Sequence, residues 1–158
     1  MTDTRALRDA LAAYPTGVAL VTVPAGDGPR AMTVNSFASV SLDPPLILWS
    51  VAKDSERYQM FLEAEVFAVN VLGADQEALA AACAKDDDLI AAGAEVRAGS
   101  AGAPLVAGAI AWFECRREAV HAGGDHDIIV GWVTDFAEPQ TGPDRKSTRL
   151  NSSHTHLS

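Results

Sequence analysis

β-rich apolar runs recur along this chain without a regular alternation with helices. A parallel sheet needs a crossover, usually a helix, between successive strands. No glycine-rich dinucleotide fingerprint follows a strand here, which argues against a nucleotide-binding parallel sheet. The pattern predicts a mainly β fold of about six or seven strands, an antiparallel barrel with peripheral helices. The clearest runs are residues 18–23, 46–51, 66–72, 109–120 and 128–136, together with a strand that opens at Ala31.

Three segments have helical patterns. In residues 2–17, Leu7, Ala10, Leu11 and Tyr14 recur at helical spacing. Residues 55–64 form a second candidate, with Ser55 as a plausible cap. Residues 74–84 are alanine-rich and strongly favour helix. Residues 85–104 are rich in aspartate, glycine and alanine, which predicts a loop over the surface.

Composition and charge limit the class of protein. With 158 residues, 48% hydrophobic and 21% charged, the chain suits one globular domain. A formal net charge of -9 argues against a nucleic-acid or anionic-membrane partner. No apolar run approaches the roughly 20 residues of a membrane helix, and charges interrupt the N-terminus where a signal peptide needs an apolar stretch. A cytoplasmic location is therefore expected.

Two cysteines, Cys83 and Cys115, are too few for a disulfide framework or a metal set. Each is predicted to behave as a small buried hydrophobic residue. No metal site is predicted elsewhere in the sequence.

The composition changes at Asp144. The segment "DRKSTRLNSSHTHLS" has no alanine, yet it holds three of the twelve basic residues and two of the four histidines. Its first eleven letters resemble translated read-through of a sequencing-library adapter. We therefore expect a C-terminally truncated domain over residues 1–143 and a non-native or disordered tail over residues 144–158. His154 and His156 are accordingly not interpreted as metal ligands.

Hydroxyl and amide groups recur along residues 31–51, "AMTVNSFASVSLDPPLILWSV". On a β-ribbon these groups either face water or face something polar that needs donors and acceptors. The ribbon alone leaves both alternatives open. The groups belong to Thr33, Asn35, Ser36, Ser39, Ser41 and Ser50.

Five motifs occur in a recognisable order: "YPTGVALVT", the ribbon itself, "FAVNVL", "GAPLVAGAIAWFECR" and "GDHDIIVGWV". Together they resemble the short-chain flavin reductases, the small components of two-component flavin monooxygenases, over residues 7 to 138. The resemblance implies an FMN-binding split β-barrel, usually a homodimer. It also implies reduction of FMN or FAD by NADH or NADPH, with transfer of the reduced flavin to a separate monooxygenase.

The resemblance assigns cofactor-binding roles along the ribbon and the segment after it. Backbone amides and short hydroxyls suit the polar edge of a flavin ring, and hydride chemistry belongs to the cofactor. "VAKDSERY" lies where the family's phosphate loop enters a helix, whose free amides suit a phosphate. The family often has arginine directly after the serine, where this chain has Glu56. The predicted cofactor-binding residues here are Thr33, Val34, Asn35, Ser36, Ser39, Ser50, Lys53, Ser55 and Arg57.

Two further polar residues stand out. Asn70 lies inside an apolar strand, which costs free energy unless its amide is bonded. A flavin tail or a neighbouring backbone could satisfy it, and the resemblance adds it to the cofactor-binding set. His126 follows two glycines in "GGDHD"; by resemblance it is the catalytic residue, positioning the pyridine nucleotide or supplying a proton.

The resemblance favours an NAD(P)H:flavin oxidoreductase. The alternatives are a non-catalytic flavin-binding module or another split-barrel flavin oxidase, such as one that acts on a pyridoxal-type phosphate. The "GDH" and "TVNSF" motifs argue against that oxidase.

Overall fold

The computed structural model describes residues 4–11, 13 and 17–137, together with the backbone of residues 147 and 148. The helices are α1 (Thr4–Leu11), α2 (Tyr58–Glu63) and α3 (Glu77–Lys85), the last preceded by a 3-10 turn over Ala74–Gln76. The strands are β1 (Ala19–Val23), β2 (Arg30–Val34), β3 (Ala38–Leu42), β4 (Pro45–Ala52), β5 (Val66–Val71), β6 (Val96–Ala98), β7 (Pro104–Val106), β8 (Ala111–Gly123), β9 (His126–Ala137) and β10 (Ser147–Thr148).

One antiparallel sheet holds eight of these strands. Seven follow the order β2-β1-β5-β8-β9-β4-β3, and β10 pairs with the end of β9. β6 and β7 form a separate two-stranded sheet. The path does not close between β2 and β3, so the fold is a split barrel with peripheral helices. The predicted fold class is confirmed.

The main core lies on the inner face of this sheet. β4 alternates along its length, with Ile47, Trp49 and Val51 buried and their neighbours half-buried, as a period of two requires. Trp49 meets Phe61 of α2 and Phe67 of β5 edge-on, at 6.1 Å between ring centroids in each case. The core therefore fixes α2 against the sheet, next to the turn that leaves β4.

Residues 85–104 are more ordered than the predicted surface loop. They include β6, and Leu89 is fully buried in a cluster with Leu20 and Cys83. The fully buried carboxylate of Glu114 on β8 accepts hydrogen bonds from the Ala101 and Ala103 amides, both at 3.0 Å.

The Ser100 hydroxyl also donates to the Glu114 carboxylate, at 3.3 Å. A buried carboxylate outside this segment, on β8, therefore organises residues 100–103. The local composition of residues 85–104 contains no sign of that acceptor.

The cysteine prediction is confirmed. Cys83 and Cys115 are free and buried. Burial raises the pKa of each thiol above its ordinary value.

The predicted helices differ from the structure mainly at their ends. α2 begins at Tyr58, three residues after Ser55, because residues 53–57 form a turn in which the Ser55 hydroxyl oxygen accepts the Arg57 amide at 3.1 Å. The helix predicted at 74–84 is confirmed as the 3-10 turn and α3. Within the described residues, no helix has the length and apolar character that a membrane crossing requires.

The predicted tail over residues 144–158 lies outside the described residues, apart from one short backbone segment. There Ser147 and Thr148 pair antiparallel with Ala137 and Phe136 of β9. The disorder and the foreign origin of this tail stay predictions.

Candidate functional site

A cavity of about 880 Å³ opens beside edge strand β2. Its walls come from segments far apart in the sequence. The lining includes Val18, residues 32–36, Ser50, Ala52, residues 55–57, residues 84–87 and His126.

The cavity gathers most of the predicted site residues but not all of them. Three lie outside its lining: Ser39, Lys53 and Asn70. The functional roles of the remaining residues stay predictions, although the structure places them together. The predicted residues that line the cavity are Thr33, Val34, Asn35, Ser36, Ser50, Ser55, Arg57 and His126.

Ser39 and Lys53 are separated from the cavity for different reasons. Ser39 lies on β3, the other edge of the sheet, and is exposed to solvent. The Lys53 side chain is exposed, and its Nζ lies 4.0 Å from Asp127 Oδ1. Its ammonium group is therefore directed at a carboxylate of the protein.

Asn70 is fully buried, and protein groups satisfy its amide. Its Nδ2 donates to the Leu20 carbonyl at 3.0 Å and to Thr22 Oγ1 at 3.1 Å. Its Oδ1 accepts the Val106 amide at 3.0 Å. Of the two alternatives for this residue, the structure shows bonds to neighbouring protein groups, which join β1, β5 and β7.

The outer edge of β2 presents main-chain groups to the cavity. β2 pairs with β1 on its inner side, while on the outer side the Ala31 amide donates to the Asp87 carbonyl at 2.9 Å. In a β-strand, residues two apart direct their N–H and C=O groups to the same side. The N–H and C=O of Thr33 therefore lie on this outer side, where Thr33 lines the cavity.

Two hydroxyl groups of the ribbon, those of Thr33 and Ser36, bind the protein itself. Thr33 Oγ1 donates to the Ala80 carbonyl of α3 at 2.7 Å. Ser36 Oγ accepts the Ser50 amide at 2.9 Å and donates to the Ser50 carbonyl at 3.3 Å. These bonds hold the cavity walls together, and a hydroxyl that donates can still accept a bond from a ligand.

Arg57 anchors the turn at residues 53–57 to α3. Its guanidinium donates to the carbonyls of Ala31 at 3.2 Å, Cys83 at 2.6 Å and Ala84 at 3.3 Å. A guanidinium has five N–H donors, so the positive charge and the remaining donors stay at the cavity wall. Arg57 therefore shapes the cavity whether or not it contacts a ligand.

The cavity wall also carries charges that the sequence did not reveal as site residues. Lys85, Asp86, Asp87 and Glu56 all line it. A hydrogen bond from the Asp88 amide is the main cause that holds the pKa of Asp86 below its ordinary value, so this carboxylate stays ionised at neutral pH. In the sequence, residues 85–87 are marked only by their position directly after a strongly predicted helix. The packing of α3 on β2 is what brings them to the cavity wall.

His126 opens β9, opposite Ala52 of β4 and Gly123 of β8. Gly124, at the hairpin tip, has a φ of 75°, a conformation that favours glycine. His126 Nδ1 lies 2.8 Å from Asp125 Oδ1, and this hydrogen bond is the main cause that lowers the pKa of Asp125. A carboxylate only accepts, which assigns a proton to Nδ1 and leaves Nε2 for a ligand.

Comparisons with known proteins identify the family of the chain. The family described as "Flavin reductase like domain" matches residues 11–151. An FMN reductase (NADH) of Agrobacterium fabrum is 48% identical over 145 residues, which is 89% of this chain and 80% of that protein. The reductase component of a flavin-dependent trigonelline monooxygenase of Acinetobacter baylyi is 42% identical over 138 residues.

The last match covers 84% of this chain but only 43% of the Acinetobacter protein, so the chain spans less than half of that relative. Among solved structures, an NADH:FAD oxidoreductase of Streptomyces globisporus in complex with NAD and FAD fragments superposes with a TM-score of 0.80. It shares 41% identity, and the match covers 92% of this chain and 86% of that one.

Proposed function

Because this chain belongs to the flavin reductase-like domain family, we propose that it is an oxidoreductase that uses NADH or NADPH to reduce FMN or FAD. The observation that carries the proposal is the single cavity that joins the open edge of β2, the turn at residues 53–57 and His126. The flavin, when bound, supplies the chemistry by accepting a hydride from the nicotinamide. The Agrobacterium and Streptomyces proteins named above are named as NADH-dependent, which supports NADH as the donor here.

The cavity fits a flavin in size and in its polar groups. Small-molecule pockets typically measure about 300–1,000 Å³, and this one measures about 880 Å³. The outward N–H and C=O of Thr33 offer one donor and one acceptor to the polar edge of a flavin ring. We propose that Val34, Asn35, Ser36 and Ser50 complete this wall.

The phosphate end of the flavin is proposed to lie at the turn. Ser55 offers a hydroxyl, and Arg57 offers the donors that its three carbonyl bonds leave over. Lys85 supplies a second positive charge in the lining, whereas Lys53 is directed at Asp127. We therefore favour Lys85 over Lys53 as the lysine that attracts the phosphate.

His126 is proposed to serve the second substrate. Its ring is held on one side by Asp125, and its side chain is 44% exposed at the cavity. Nε2 can donate to or accept from a nicotinamide carboxamide, or carry a proton beside the reduced product. Binding the carboxamide and carrying a proton both require that the imidazole ring of His126 keeps its orientation.

Anaerobic mixing tests the proposal directly. The protein is combined with FMN or FAD, and then with NADH or NADPH, while the visible absorbance of oxidised flavin is followed. We expect rapid bleaching with NADH and at least one flavin, and the same rate for the control Ser39→Ala, which alters an exposed residue outside the cavity. Tight flavin binding without bleaching would instead identify a non-catalytic flavin-binding module.

We further propose that the reduced flavin passes to a separate flavin-dependent monooxygenase. The support is the Acinetobacter relative, which is named as the reductase component of such an enzyme. We also propose that the reaction occurs in the cytoplasm, where NADH is available as the hydride donor.

A homodimer is proposed from the exposed apolar residues of edge strand β3. Val40 and Leu42 are 48% and 49% exposed on this strand, where a bulge between Ser39 and Ser41 interrupts the pairing with β4. An exposed apolar edge favours association. Sedimentation equilibrium should give twice the 16.6 kDa chain mass. Val40→Lys should lower that mass, while Gln59→Lys, at an exposed position of α2, should not. A monomer at micromolar wild-type protein contradicts the proposal.

A further inference from the structure

A nearly buried carboxylate follows His126 directly in β9. Asp127 is 8% exposed. Its Oδ2 accepts a hydrogen bond of 2.5 Å from the Tyr58 hydroxyl of α2, and its Oδ1 lies 4.0 Å from Lys53 Nζ. Asp127 itself does not line the cavity, so its contacts act on the cavity through its neighbours.

A second contact joins the same two segments. The Lys53 amide donates to the Asp125 carbonyl at 2.9 Å, at the tip of the β8–β9 hairpin. The turn and the hairpin are thus tied at two points, one on each side of His126. Between these ties lie His126 on the hairpin and Ser55 on the turn, and both line the cavity.

The Tyr58–Asp127 bond joins a hydroxyl to a carboxylate. Hydrogen bonds from a hydroxyl to a carboxylate are short and charge-assisted. The bond to Asp127 is the main cause that raises the pKa of Tyr58, so the hydroxyl keeps its proton and remains a donor at neutral pH. Because this bond joins α2 to β9 at the residue next to His126, it links the helix to the hairpin as well as packing α2 against the sheet.

We infer that Tyr58 is a positioning residue: by donating to Asp127 it holds the hairpin against the turn at residues 53–57 and so fixes the orientation of His126 toward the ligand. This inference rests on the proposed function, in which His126 handles the nicotinamide. Tyr58 acts through Asp127 and His126, without contact with the reacting groups.

Tyr58→Phe removes only the hydroxyl. At saturating flavin we expect it to lower kcat/KM for NADH by about tenfold, because small displacements of a positioning group cost rate. Asp127→Asn keeps an oxygen that can accept from Tyr58 and should retain most of the activity, whereas Asp127→Leu should match Tyr58→Phe. Gln59→Ala, an exposed neighbour on α2 whose side chain pairs with Glu63, is the matched control and should behave as wild type.

A ligand-free measurement separates this inference from the proposed function. Hydrogen exchange of the Lys53 amide should accelerate in Tyr58→Phe and stay slow in Gln59→Ala. If the wild-type protein fails to reduce any flavin, the proposed function is wrong. The exchange rate of the Lys53 amide still reports whether Tyr58 holds the hairpin against the turn. If Tyr58→Phe melts at a lower temperature but keeps the wild-type kcat/KM and Lys53 exchange, the bond is merely structural and the inference is overturned.

Discussion

Exchange of His126 for alanine is expected to lower kcat/KM for NADH by about 10²-fold, while the flavin dissociation constant changes little. The reason is the position of the residue. His126 lines the cavity from β9, which three strands separate from β2 in the order of the sheet, whereas the proposed flavin ring contacts begin on β2. Its loss should affect the orientation or protonation of the second substrate, and steady-state kinetics at saturating flavin with a separate flavin titration measures both quantities.

His121→Ala is the matched control for this variant. His121 lies on the same hairpin, paired with Ile128, and is exposed outside the cavity lining. It should leave both quantities unchanged. If His126→Ala loses flavin affinity but keeps normal NADH kinetics at saturating flavin, His126 contacts the flavin and not the nicotinamide.

Exchange of Glu114 for alanine should lower the free energy of unfolding by about 3–4 kcal/mol. The change removes the acceptor of the Ala101 and Ala103 amides and of the Ser100 hydroxyl. A buried donor left without a partner costs about 1–3 kcal/mol, and the vacated space adds a packing cost. For a domain of this size the melting temperature should fall by roughly 10 °C, which a thermal scan measures.

Glu118→Ala provides the comparison on the same strand. Glu118 is exposed, so its loss should change stability by no more than about 0.5 kcal/mol. Glu114→Gln keeps one acceptor oxygen and should fall between the two. Equal stability of Glu114→Ala and Glu118→Ala would show that the loop at residues 99–103 does not depend on the carboxylate.

The sequence predicts the strands and the ribbon well because their signals are local. Runs of apolar and β-branched residues mark β1, β4 and β5, and the hairpin glycines mark the turn before His126. The resemblance to the short-chain flavin reductases, and not these local signals, places the β2 edge, the turn at residues 53–57 and His126 in one expected site. Lys85, Asp86 and Asp87 form another wall of the cavity. Their position depends on how α3 packs against β2, and no local pattern in the sequence indicates that packing.

Long-range hydrogen bonds account for most of the remaining differences. The sequence leaves open whether a ligand or the backbone satisfies the side-chain amide of Asn70. Only the arrangement of β1, β5 and β7 shows which groups reach that amide. Lys53 was expected at a phosphate, but the buried Asp127 on another strand attracts it. In both cases the deciding partner lies more than thirty residues away along the chain.

The buried cysteines have a consequence for the working environment of the proposed enzyme. Reduced flavin that meets dioxygen before reaching its acceptor yields hydrogen peroxide, and peroxide attacks thiolates rather than thiols. Cys83 and Cys115 are fully buried, and burial raises the pKa of both. The described part of the chain therefore presents no accessible sulfhydryl to the oxidant that its own reaction releases, and its activity should survive repeated aerobic turnover without an added reducing agent.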